Sequence, residues 1–263
     1  MAVRGAAIRG AGIALAIVLA AGCAHSVEVS QDSALLTTVP PTTSTTSTTS
    51  TTIPGCPEAT TTTGDSLTQL ATPTAAALAY SAIPGGPAVG HLKEPWGGPS
   101  TRPVLGQQNG WIQLRLDSRP NGSSGWVPAQ SLTFSTTPYH IVISVCQRNL
   151  TLYQGALPVY SAPVGVGRPQ WPTPTGASFV DAIVATPKRQ QYIYGPTVLI
   201  LGTHSNVFTE FDGGDGTVAI HGYPSDPGST RGVASSHGCV RVSPETINAI
   251  KVVPVGTPVD VVA

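Results

Sequence analysis

Glycine and proline punctuate this chain so densely that long helices are excluded before any finer pattern is read. The two make up 29 and 25 of the 263 residues, where average usage of both together is nearer ~12%. Glycine loses the most backbone freedom on ordering, and proline removes a donor and fixes φ. The expectation is a set of short strands joined by tight turns, a mainly β chain. Charged residues are only 10% and the formal net charge is zero. Bulk charge therefore offers no argument for a nucleic-acid partner.

The first residues read as an export signal. Arg4 and Arg9 supply a positive start, and Ala11 to Ala21 is an apolar run, shorter than the ~20 residues a spanning helix needs. The run ends in "LAAGC", Leu19 to Cys23. That ending resembles a bacterial lipoprotein signal covering 1–22, which would make Cys23 the lipidated first residue of the mature chain. It departs from the usual pattern in having Ala20 three residues before the cysteine, where leucine is commoner. An ordinary cleaved signal is the plainer alternative. Residues 23–66 follow as "TTVPPTTSTTSTTSTTIPG" and "ATTTTG", with too little apolar surface to offset the entropy of ordering. They read as an extended, disordered stalk. Anchor, stalk and folded domains together would hold an activity at the outer face of the cytoplasmic membrane, within the cell wall.

Residues 67–136 carry alternating strands. In "GWIQLRL", Ile112, Leu114 and Leu116 alternate with Gln113 and Arg115. Asn121-Gly122 is a tight-turn dipeptide leading to Trp126-Val127. The stretch resembles the small SH3-like barrel of bacterial envelope proteins. Trp111 and Trp126 could form a ligand-binding aromatic face; in a small barrel the core is their expected place. His91 reads as a surface loop residue.

The second domain spans 137–263. "YHIVISVCQRNLTLYQ" reads as two strands around a turn at Gln147 to Asn149, with Cys146 a buried strand residue, although Cys56 and Cys146 could pair outside the cytoplasm. One short helix is expected after Cys239: Ser243 as N-cap, Pro244 at the first helical position and Glu245 at the positive end of the dipole open "PETINAIK".

Chemistry concentrates in "SSHGCVRV", Ser235 to Val242. Cys239 could be a nucleophile, a metal ligand, half of a disulfide or a buried small side chain. A cysteine nucleophile needs a base and oxyanion donors. His221 closes the apolar stretch "TVAIHGY" eighteen residues before Cys239, and the intervening Gly/Pro-rich excursion can return the chain beside its own strand. Gly238 permits a tight turn, so the N–H groups of Gly238 and Cys239 are expected as an oxyanion hole. Arg241 would share a strand face with Cys239 and help to depress the thiol pKa.

At these residues the chain resembles the L,D-transpeptidase (YkuD-type) family. That signature is a histidine, a spacer of fourteen to seventeen residues, then Ser/Thr-His-Gly-Cys, a hydrophobic residue and Asn or Arg; here fourteen residues separate His221 from Ser236. "LTLYQG", "PVGVG" and "TPTG" resemble the family's strands in the same order. The resemblance implies a β-sandwich catalytic domain. It implies Cys239 as nucleophile, His221 as base oriented by a backbone carbonyl near Gly222, and His237 shaping the site or assisting proton transfer. Ser236, Gly238, Arg241, Gly222 and Tyr223 would complete the substrate pocket. The implied reaction is acyl transfer on peptidoglycan stem peptides, through a cysteine thioester and with loss of D-Ala. Attack by a diamino acid amine would give a 3→3 cross-link, and attack by water an L,D-carboxypeptidase product. Family members can be trapped by carbapenems, and the chemistry requires no metal or diffusible cofactor.

Rival readings have distinct marks. A core cysteine explains one histidine but not a His-Cys cluster after a Gly/Pro-rich loop. A zinc site from His204, His221, His237 and Cys239 matches none of the usual ligand spacings. A sortase-like enzyme normally has wider His–Cys spacing. A catalytically inactive wall-binding lipoprotein would need no intact Cys239 and His221, and both are present. His204 in "LGTHSN" reads as a loop hydrogen-bonder. Tyr192 and Tyr194 are candidates for lining a substrate groove.

Overall fold

The computed structural model describes residues 55–56, 67–92, 96, 100–211 and 213–263. All belong to one compact unit, Ser50–Ala263. The export signal, Cys23 and all of the Thr/Ser/Pro tract except Gly55 and Cys56 lie outside the described residues. Among the described residues no helix is long and apolar enough to cross a membrane.

The fold is mainly β, as the glycine and proline content requires. Seven strands, β1 (Thr68–Pro73), β2 (Ala77–Tyr80), β3 (Ala88–Leu92), β4 (Arg102–Gln108), β5 (Trp111–Arg115), β6 (Ser124–Pro128) and β7 (Leu132–Thr137), form one sheet in the order β3-β2-β6-β5-β4-β1-β7. Alternation along β5 buries Ile112 and Leu114, which pack with Leu116, Val127 and Leu92. The same alternation corrects the expectation for the tryptophans. Trp111 and Trp126 have the opposite parity from those core residues and stand half-exposed on the other face of the sheet. The Trp111 ring meets Tyr80 edge-on at 5.8 Å. His91 is exposed, but on β3 rather than in a loop.

The second sheet follows. It comprises β8 (Tyr139–Ser144), β9 (Asn149–Gln154), β10 (Leu157–Pro163), β12 (Gly176–Ala185), β13 (Thr197–His204), β14 (Thr217–His221), β16 (Val240–Arg241) and β17 (Pro258–Val262), in the order β10-β9-β8-β17-β12-β13-β14-β16. Two short strands, β11 (Val166–Gly167) and β15 (Ala234–Ser236), pair in parallel beside it. One apolar core unites Ile141, Leu150, Val180, Leu199, Ile220 and Val240 with Ile247 and Ile250 of a helix. That helix, α2 (Pro244–Ile250), starts where the sequence places it: the Ser243 hydroxyl accepts from the Thr246 N–H at 3.2 Å, the bond an N-cap must make. A further one-turn helix, α1 (Gln191–Tyr194), was not expected.

Cys146 departs from expectation. The apolar run "IVISVC" suggests a strand through Cys146, but β8 ends at Ser144 and residues 145–148 turn, with Arg148 at φ 52°. Cys146 is disulfide-bonded to Cys56.

Where the two sheets meet, polar groups are buried. Arg102 is fully enclosed, 3.2 Å from Asp117 and 3.8 Å from Asp181, with its guanidinium over the Phe179 ring. Burial pushes the Asp181 carboxyl up to about 6, against the attraction of Arg102. Asp117, Asp181, His204, Asp215 and Trp96 line a small cavity there.

Candidate active site

The register of the last two strands of the large sheet builds the site. β14 and β16 run parallel, with Ile220 opposite Val240 and His221 opposite Arg241. Side chains alternate between faces along a strand. Ile220 and Val240 are both fully buried in the main core. Ala219, His221, Cys239 and Arg241 therefore share the other face. There Cys239 packs against a small apolar cluster of Ala182, Val198, Ile200 and Ala219, with Tyr194 beside it.

The turn carrying Cys239 is held from within. The Ser236 hydroxyl donates to the Cys239 carbonyl at 2.6 Å and accepts from the Gly238 N–H at 3.1 Å. Thr173, in the 168–175 loop, donates to the Gly238 carbonyl at 2.8 Å and accepts from the Gly167 N–H at 2.8 Å. Gly238 sits at φ +124°, which favours glycine. This arrangement corrects one expectation. The Gly238 N–H is satisfied by Ser236 and does not stand free as an oxyanion donor; the serine uses it to fix the turn.

His221 is buried, and its Nδ1 bonds to the Gly222 carbonyl oxygen. Nδ1 must carry the proton in that bond, so Nε2 is the basic nitrogen. Burial drives the imidazole pKa down to about 4, with Arg241 adding to the depression and the carbonyls of Gly222 and Ile193 opposing it. His221 is thus neutral at physiological pH, as a general base must be. Tyr194 of α1 meets the ring edge-on at 5.1 Å.

Desolvation raises the Cys239 thiol above its ordinary value; the Ala219 backbone and Arg241 pull it down by less. Arg241 lowers the thiol pKa, as a positive neighbour on the same face should, but burial against the apolar cluster outweighs it, and the resting pair is a neutral thiol with a neutral imidazole. The Arg241 guanidinium lies 3.9 Å from the centre of the Tyr223 ring, a close cation–π contact.

Outside the turn, the His237 ring stacks on Trp171 at 4.3 Å, with Phe211 at 5.5 Å and Phe208 at 6.1 Å. Arg168 lies over the other part of this wall, 5.0 Å from the Trp171 ring, and donates to the Ser235 carbonyl at 2.6 Å. Partial burial, then Arg168 and Arg241, hold His237 below its ordinary pKa.

Residues 138–261 match the YkuD family model, the L,D-transpeptidase catalytic domain. No curated protein matches the chain. Among solved structures, an L,D-transpeptidase from Mycobacterium smegmatis is 21% identical over 60% of this chain and 80% of its own, with a TM-score of 0.39. L,D-transpeptidase 3 from Mycobacterium tuberculosis, in complex with a faropenem-derived adduct, is 18% identical over 56% and 76%, with a TM-score of 0.38. Bd1075 of Bdellovibrio bacteriovorus is 22% identical with a TM-score of 0.38, and the match spans 47% of each chain, under half of that protein's length.

Within the matched residues 138–261, His221, Gly222, Tyr223, Ser236, His237, Gly238, Cys239 and Arg241 all gather at the end of β14 and β16. His204 does not join them. It ends β13, is buried rather than in a loop, and pairs through Nε2 with Asp215 at 2.9 Å. Among the described residues, no three His, Cys, Asp or Glu side chains converge in a way that could hold a metal ion. Tyr192 is 62% exposed, whereas Tyr194 packs on His221. Thr173, Arg168 and the Trp171–Phe208–Phe211 wall were not foreseen as site residues. "RPQWPTPTG" signals a loop, and nothing local in it says which turn that loop clasps.

Proposed function

We propose that this protein is a cysteine-dependent peptidoglycan L,D-transpeptidase that forms 3→3 cross-links between stem peptides. The observation that carries the reading is the shared face of β14 and β16. It presents a half-buried thiol, a neutral imidazole with its tautomer set by the Gly222 carbonyl, and an arginine two residues beyond the cysteine. In the first step the Cys239 sulfur attacks the carbonyl between the third-position diamino acid and the terminal D-Ala while His221 takes the thiol proton. The C–N bond then breaks, the proton passes to the departing amine, D-Ala leaves and a thioester remains. In the second step the side-chain amine of another stem attacks the thioester carbonyl. The C–S bond breaks, and the thiol is restored with the proton the amine gives up. Arg241, held on Tyr223, supplies positive charge near the developing oxyanion.

The test is intact-protein mass spectrometry with a tetrapeptide stem and, separately, with a carbapenem. A covalent adduct mapped to Cys239 and release of D-Ala are expected. Cross-linked product should form when a diamino acid acceptor is supplied. A reduced, accessible Cys239 that forms no adduct overturns the proposal, and tripeptide alone in the presence of acceptor reassigns the enzyme as an L,D-carboxypeptidase.

The same proposal places the enzyme outside the cytoplasmic membrane, anchored through lipid on Cys23, with residues 67–136 as an SH3-like spacer or wall-facing module. The "LAAGC" ending and the tract behind it support this. Cys23→Ser should move the expressed protein from the membrane fraction to the soluble one; unchanged partition would sink the anchor.

A further inference from the structure

We propose that Arg119, a residue of the first β sheet's β5–β6 loop, is a positioning residue for the acyl-transfer site: it holds the 205–216 loop so that Phe208 and Phe211 wall His237 beside Cys239. The inference rests on the acyl-transfer reading of Cys239.

The contacts converge on one guanidinium. Arg119 Nη1 donates to the Ser205 carbonyl at 2.6 Å, and Nη2 donates to the Phe208 carbonyl at 2.8 Å and the Asp215 carbonyl at 2.9 Å. These carbonyls come from the start, the middle and the end of the loop. A guanidinium offers five donors in a fixed planar fork, so it can gather three backbone oxygens that would otherwise repel one another. Two residues on, Asn121 treats His204 as a strand neighbour would. Its Nδ2 donates to the His204 carbonyl at 2.7 Å, and its Oδ1 accepts from the His204 N–H at 2.8 Å. Gly216 leaves the room this needs: it sits at φ +77°, and a Cβ there would lie 2.4 Å from the Phe208 oxygen and 3.3 Å from Arg119 Nη2.

The loop so gathered carries the aromatic wall. Phe208 and Phe211 pack together at 5.2 Å, Phe208 meets Trp171 at 5.8 Å, and both phenylalanines approach His237, two residues before the nucleophile. The other side of His237 is set from within the catalytic domain, by Trp171. The Phe208–Phe211 side is the one that Arg119 of the first sheet's loop holds, through the Phe208 carbonyl. A small displacement of a wall that orients a bulky acyl donor slows its attack without touching the nucleophile itself.

The experiment compares Arg119→Ala with the parent protein in three ways. Acylation by imipenem should slow by about ten- to a hundred-fold. Alkylation of Cys239 by iodoacetamide, which needs no wall, should change by less than about two-fold, and Arg119→Lys should recover part of the acylation rate. In a Phe208→Ala/Phe211→Ala background, Arg119→Ala should add less than about two-fold, because the arginine acts through those two rings. Parent-like acylation in Arg119→Ala, additive losses in that background, or equal losses of acylation and alkylation would each overturn the proposal. His237 titration followed by NMR separates its failure from failure of the acyl-transfer reading. In Arg119→Ala the His237 pKa should rise toward its ordinary value as its cover loosens, whether or not imipenem reacts. An unchanged His237 pKa overturns the positioning role independently of the chemistry at Cys239.

Discussion

His221→Gln is expected to slow acylation of Cys239 at pH 7 by about 10²–10⁴-fold, the usual contribution of a positioned general base. The reason lies in the resting protonation states. Burial lifts the thiol pKa, so little thiolate exists at neutral pH, and attack requires the proton to leave as the bond forms. With the imidazole pKa near 4, the parent enzyme should keep its rate well below pH 6.5 and lose it only as pH approaches 4. The variant has no base, so its residual rate should climb about ten-fold per pH unit with the thiolate fraction. A variant that kept the parent's flat profile would remove His221 from the chemistry.

The same burial has a stability consequence of definite sign. The folded pKa of His221 lies below its ordinary 6.5. Its stabilising contribution is therefore complete above pH 6.5 and is lost as pH falls toward 4. By pH 5 that loss is about 2 kcal/mol. Asp181 works the other way: its folded value of about 6 exceeds the ordinary 3.8, so its contribution is complete below 3.8 and is lost as pH rises through 6. The two oppose each other between pH 4 and 6. Glutamine at 221 leaves only the Asp181 effect at this pair, and thermal unfolding from pH 7 to pH 5 should show the variant gaining on the parent.

Parts of this were legible in the sequence because they depend on neighbours along the chain. The strand parity that sets Ile220 and Val240 against His221, Cys239 and Arg241 is written in "AIHGY" and "HGCVRV". The N-cap of α2 is local too, in Ser243, Pro244 and Glu245. The tryptophans show a signal present but outweighed: once Ile112 and Leu114 are inward, Trp111 must face outward, and the general habit of tryptophan in small barrels pointed the wrong way. Other features depend on distant chain and left no local mark. The thiol's raised pKa comes from burial, and the cysteine packs with Ala182, Val198 and Ile200 of two other strands. The use of the Gly238 N–H depends on a Ser236 rotamer. Arg119 reads in sequence as one more charged residue beside a turn, and its partners begin 86 residues later.

Removing the Cys56–Cys146 disulfide is expected to cost about 2–4 kcal/mol, because it closes a long loop. The sequence separation is 90 residues and encloses the whole first sheet. Cross-linking such a span removes many conformations from the unfolded chain while asking little of the folded one. The Cys56→Ser/Cys146→Ser variant should therefore unfold at lower temperature and lower denaturant concentration than the parent, with little change in the slope against denaturant. Reductant should lower the parent's stability toward the variant's and leave the variant unmoved. Equal stability in all four conditions would mean that the unfolded chain is already held together without the bond. The linkage also bears on the spacer reading. Cys56 lies in the tract expected to be free, yet it is fastened to the turn after β8 of the second sheet. Under the proposed anchor at Cys23, the stretch between lipid and first fastened residue ends at Cys56 rather than at residue 66, and cutting the disulfide should lengthen that tether without altering the site at Cys239. Acylation of Cys239 in the isolated variant at 25 °C should accordingly stay within about two-fold of the parent's, since the bond and the nucleophile share no contact and distant sites act independently.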